Sequence, residues 1–216
     1  MPTTLAAVIA ELRYELKDTD AAAYRWTDAE LTRHLRRALV EYSRASPRHM
    51  KTTKATTASS RAIDISAMTG YDDIIKLLAV EYPVGVFPQQ YQRFQYWNGV
   101  ITLVGDVVPD GSNAYIYWGG VHVLTDAGSP TCSIDEKDQE TVITGAAAFA
   151  AYAWASYATN RVNVGSDATV KEFFGYAAEK RNAFQKELNR LRSVVRTQRM
   201  YPPNTPRQSQ TTDWGP

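Results

Sequence analysis

Two segments of this chain, Thr27-Asp28-Ala29-Glu30 and Ser133-Ile134-Asp135-Glu136, carry the spacing of a capping box. In that motif a hydroxyl and a carboxylate three residues apart satisfy each other's opening amides, so each marks a helix start. Between them the apolar pattern changes character. Residues 51–132 are rich in threonine, β-branched and aromatic residues, with Gly, Pro and Asn-Gly breaks, which is the signature of strands and tight turns. Helix starts on both sides of a strand-rich stretch restrict the chain to an α+β class.

The opening half supplies two helices. Leu5, Val8, Ile9, Leu12 and Leu16 recur at three- and four-residue steps behind a capping Thr3 or Thr4. Leu31, Leu35, Ala38, Leu39 and Tyr42 continue from the Thr27 cap until Ser46-Pro47, where proline disfavours a helical predecessor. In the middle, Phe94 to Leu103 reads as a hairpin, because Asn98-Gly99 supplies the positive φ angles of a two-residue turn. Strands are also expected at Arg61 to Ile65 and Ala114 to Trp118, with a turn at Pro109-Asp110-Gly111-Ser112. Ile74 to Tyr82 reads as a strand, although Asp72 to Leu78 also fits a helix start. After Glu136 an alanine-rich helix runs to about Asn160, and Gly165-Ser166-Asp167 breaks and recaps a long helix to about Arg196. Beyond Arg199, prolines and Gln, Ser and Thr leave no periodic apolar face, and disorder is expected in the free chain.

The expected fold is therefore a four-helix-bundle-like domain, residues 1–50 and 133–199, interrupted by an antiparallel β insertion, residues 51–132. An extended C-terminal arm, residues 200–216, completes it.

Charge and composition narrow the function. The 24 Lys and Arg balance 23 Asp and Glu, so net charge gives no reason to expect a nucleic-acid or membrane binder. Locally the charges separate: 11 acidic against three basic residues from Asp64 to Glu140, and eight basic against one acidic from Lys180 to Arg207. The single Cys132 excludes a disulfide within one chain, and 44% hydrophobic residues suffice for a core. No apolar run approaches a membrane span and no leader pattern opens the chain, so a soluble, unsecreted protein is expected.

Enzymatic chemistry needs convergent groups. His34, His49 and His122 fall in a helix, a link and a strand region without metal-ligand spacing, and packing is the plainer role for each, as for Cys132. Nucleophile-elbow, zinc-helix, phosphate-loop and dinucleotide motifs are missing. Asp106 and Asp110-Gly111 make only part of a calcium loop and read better as a turn. No catalytic residue, metal or cofactor is expected. Around Tyr91, Phe94, Tyr96, Trp97, Tyr115, Tyr117 and Trp118 only Arg93 supplies a cation, which favours a core or subunit contact over base stacking. The basic residues Arg48, Lys51 and Lys54 are candidates for DNA or partner contact, with a solvated loop as the plainer reading.

The layout resembles the head-tail connector, or adaptor, family of tailed bacteriophages. The resemblance is carried by Trp26 to Leu31 leading into Leu35 and Ala38 to Ser43, then Val80-Glu81-Tyr82-Pro83 and the Phe94 to Gly99 hairpin, and spans residues 3–199. It implies a virion structural subunit without enzymatic activity, made in the host cytoplasm. Such subunits form a homo-oligomeric ring, commonly dodecameric, beneath the portal protein. The ring continues the DNA channel used in genome ejection and offers a face to tail, stopper or nozzle proteins. An acidic middle segment would suit a DNA conduit, since it repels phosphates. Tyr96 and Trp97 are then candidates for subunit or tail contact, and Arg199, Tyr201 and Trp214 for an arm against the portal or a neighbouring subunit. The competing class is a nucleic-acid-binding regulator using the first two helices, although the link from Leu16 to Thr27 exceeds the tight turn of a helix-turn-helix.

Overall fold

The computed structural model describes residues 4–159 and 167–197. They divide into two compact units. One comprises residues 4–48, 121–159 and 167–197, and the other residues 49–120.

The first unit is helical. Helix α1 (Leu5–Glu15) is capped by the Thr4 hydroxyl, which accepts from Ala7 N, and α2 (Asp28–Ala45) opens with both hydrogen bonds of the Thr27–Glu30 box. Helices α3 (Glu136–Thr159) and α4 (Asp167–Thr197) follow. All four contribute to one core: Val8 and Leu12 of α1, Leu31, Leu35 and Tyr42 of α2, Val142 and Phe149 of α3, and Phe184 and Leu188 of α4. Fully burying a side chain of this size stabilises by about 1.5–3 kcal/mol. Ala146, Ala147, Ala150 and Ala151 are also buried, which lets neighbouring backbones approach α3 closely. At Gly145 the approach is closer still, since an added Cβ would lie 2.9 Å from the Phe184 ring.

The second unit is a six-stranded sheet of order β1-β6-β3-β4-β5-β2. Its strands are β1 (Arg48–Ala55), β2 (Ala62–Asp64), β3 (Ile74–Glu81), β4 (Tyr91–Trp97), β5 (Val100–Val104) and β6 (Asn113–Gly120). β4 changes partner along its length. It pairs with β3 at Gln92 and Tyr91, then with β5 from Arg93 to Trp97, so the sheet turns a corner there. The inward residues Ile63, Val80, Ile101, Leu103, Ala114, Ile116 and Trp118 form a separate core.

Two expectations are corrected. The sheet is not a minor insertion into a four-helix bundle: it is a large body with its own core, and the fold is α+β with four helices and a six-stranded sheet among the described residues. The shortfall came largely from β1, whose alternating inward side chains Arg48, Met50, Thr52 and Lys54 carry almost no apolar signal. Of the two readings of Ile74 to Tyr82 the strand one holds, with a short 3-10 turn (Tyr71–Asp73) running into β3. Ser133 does not cap α3. Its hydroxyl accepts from Val123 N at 2.8 Å, and the helix opens two residues later, with Asp138 N donating to Asp135 O. The C-terminal arm lies outside the described residues.

Candidate functional site

The β4–β5 hairpin is built by its turn. Asn98 and Gly99 adopt φ of 45° and 80°, and a Cβ on Gly99 would stand 3.1 Å from Ser66 Cβ and 3.2 Å from the Tyr71 hydroxyl. Glycine is therefore required both for the angle and for the space. Residues directly opposite across strands share a face. Trp97 pairs with Val100, and Val100 with Asp64, so these three form one row. The next row, Tyr96, Ile101 and Ile63, lies on the other face, where Ile101 and Ile63 are core.

Tyr96 and Trp97 therefore point to opposite sides, and the structure does not bring them into one patch. Tyr96 is 43% exposed, and its hydroxyl lies 3.3 Å from that of Tyr71, whose pKa this hydrogen bond raises. Trp97 is 84% exposed. Its outward row ends at Asp64, an exposed carboxylate held below its usual range by the Ser66 hydroxyl and amide. Asp72 and Asp73, beside Tyr71, are exposed as well. A solvent-facing tryptophan can receive a guanidinium on its ring face, and Asp64 at the far end of the row can pair with a second cation.

Arg48, Lys51 and Lys54 do not sit in a loop and do not converge. In β1 alternate side chains take opposite faces, so Arg48 and Lys54 share one face while Lys51 lies on the other, its Nζ 4.3 Å over the Tyr115 ring. Arg199, Tyr201 and Trp214 lie outside the described residues.

The histidines are separate. His34 is buried in α2 and His49 is exposed on β1. His122 is half-buried: its Nε2 faces Ser46 O at 2.9 Å, while its Nδ1 faces Ser133 O at 2.9 Å and the Ser133 hydroxyl at 3.1 Å. A neutral ring fits by donating from Nε2 to Ser46 O and accepting at Nδ1 from the Ser133 hydroxyl. Burial lowers the pKa of both His34 and His122. Asp110, considered for a calcium loop, accepts from the Tyr82 hydroxyl at 2.7 Å and from Ser112 N, and is held at about 2 by these bonds. Among the described residues no three His, Cys, Asp or Glu group to hold a metal ion, and no helix is long and apolar enough to cross a membrane.

Two features escaped sequence reasoning. Phe87, in the link between β3 and β4, is 96% exposed. Arg13 is buried where α1 meets α2, bonding Asp18 and Asp28 at 2.7 Å each and Trp26 O at 2.9 Å. Asp18 also accepts from Arg25 N, so the hub ties the whole link between the helices. Only the positions of opposite charges flanking that link hint at it.

No protein-family model matches the chain, and no curated protein matches it.

Proposed function

We propose that this protein is a non-enzymatic structural adaptor at the head-to-tail junction of a tailed bacteriophage. It assembles as a ring, dodecameric by resemblance, between the portal protein and tail components. The observation that carries the reading is Trp97. A hairpin fixed by its turn holds this indole in solvent, and large rigid aromatics so placed are the usual anchors of protein interfaces. The motif order from Trp26 through the Asn98-Gly99 turn supports the phage assignment. DNA would pass through the ring without sequence-specific binding.

The test is to mix the protein with the portal of the same phage and image the mixture. Rings stacked on portals are expected. A protein that never attaches to the portal, and instead forms a dimer with salt-sensitive duplex binding, would overturn the reading in favour of a regulator.

A further inference from the structure

The outward face of α2 carries an unusual stripe. Arg33, Arg36, Arg37, Val40 and Arg44 are all exposed and recur at three- and four-residue steps, so they line one side of the helix. The carboxylates of α2 are committed elsewhere: Asp28 to Arg13, Glu30 to Thr27, and Glu41 to Arg181 and Gln185. Arg37 lies 4.1 Å over the Phe149 ring. Arg33, Arg36 and Arg44 make no salt bridge among the described residues.

The end of the sheet unit is its complement. The row Trp97, Val100 and Asp64 presents an indole, a half-buried aliphatic and a carboxylate in sequence. Asp64 makes no salt bridge among the described residues, and Lys54 is the cation whose field reaches it. Adjacent strands lie about 4.8 Å apart, so the row spans roughly 10 Å. On α2 the steps Arg36, Val40 and Arg44 place a cation, an aliphatic and a cation over about 12 Å. Val40 is 37% exposed.

We infer that α2 of one copy docks on the Trp97–Val100–Asp64 row of a second copy. Arg36 stacks on Trp97, Val40 packs on Val100, and Arg44 pairs with Asp64. The two faces differ, so the contact is heterologous and propagates into a ring or an open chain. The inference deepens the adaptor reading and rests on it only for the existence of an assembly.

Charge reversal separates the outcomes. Arg44→Glu and Asp64→Arg should each weaken self-association by about tenfold or more, as seen by sedimentation, while circular dichroism shows both folded. An equimolar mixture of the two variants should associate again, because each supplies the face the other has inverted. Trp97→Ala should weaken association, and mixing it with Asp64→Arg should not restore it, because both variants carry the defect on the same face. Unchanged association in the single variants, no recovery in the mixture, a wild-type chain monomeric at every concentration, or Arg44-dependent duplex binding in place of self-association would each overturn the contact. Portal-bound rings formed by Arg44→Glu would sink this contact and leave the adaptor reading standing. Self-association that follows the swap, with no portal attachment, would do the reverse.

Discussion

The two units hold their polar interiors together by different chemistry. In the helical unit the central polar element is ionic: Arg13, nearly buried, satisfies Asp18, Asp28 and a backbone carbonyl at once. In the sheet unit the equivalent work falls to tyrosine hydroxyls. Tyr82 bonds Asp110 and takes hydrogen bonds from Asp110 N and Ser112, while Tyr117 donates to the buried Glu81 at 2.6 Å. An ion pair removed from water must keep every partner or become a liability, whereas a hydroxyl lost from the exposed Asp110 can be replaced by water. Losing Arg13 should therefore cost more than losing the Tyr82 hydroxyl.

Arg13→Ala tests this most severely. It strands Asp18 without its partner, and a loss of about 3–5 kcal/mol is expected in denaturant unfolding of the helical unit. Equal destabilisation by Tyr82→Phe would erase the contrast. A second comparison uses pH. Burial lowers His34 and His122 from 6.5, so the fold favours their neutral rings. The stability this confers is complete above pH 6.5 and is lost as pH falls through the lowered values. Arg33, Glu30 and Arg37 act on His34, and Arg48 and Asp135 on His122, with the Tyr42 ring 5.1 Å away. The melting temperature of the helical unit should drop on mild acidification, and His122→Asn should shrink that drop; an unaltered slope would remove His122 from the account.

In the sheet unit, Tyr82→Phe should let the Asp110 carboxyl rise from about 2 towards 3.8, read by NMR titration. A carboxyl that stays near 2 would place the control in the Ser112 bonds instead. Smallest of all, Trp97→Ala should change unfolding stability by no more than about 0.5 kcal/mol, since the indole is already in water. A larger loss would mean that Trp97 serves the fold rather than a partner.

What the chain disclosed in advance follows from the range of the forces involved. The Thr27–Glu30 box and the Asn98-Gly99 turn are local, and both form from residues within three positions of each other. Ser133 has the same local pattern, but longer-range bonds to Val123 and His122 claim its hydroxyl first. β1 was hidden because its inward face is Arg, Met, Thr and Lys, and with it went the true extent of the sheet. For the site, the aromatic content of the hairpin was visible, yet only the register shows that Tyr96 and Trp97 face apart and that Asp64 belongs with Trp97. The outward side of α2 was legible in advance, since Leu31, Leu35, Ala38, Leu39 and Tyr42 already mark the inner face.

The separation between Tyr42 and Asp138, whose side chains bond at 2.9 Å across 96 residues, bears on synthesis. The Arg13 hub spans at most 15 residues, so α1 and α2 can organise as soon as they leave the ribosome. Their apolar faces, with Leu31 and Leu35, must then wait for α3. At about 5–20 residues per second, the wait is on the order of 5–20 s. During that interval a sticky helical hairpin is tethered to a lengthening, incomplete sheet, so nascent chains on neighbouring ribosomes are most at risk of clumping before the first residues of α3 emerge.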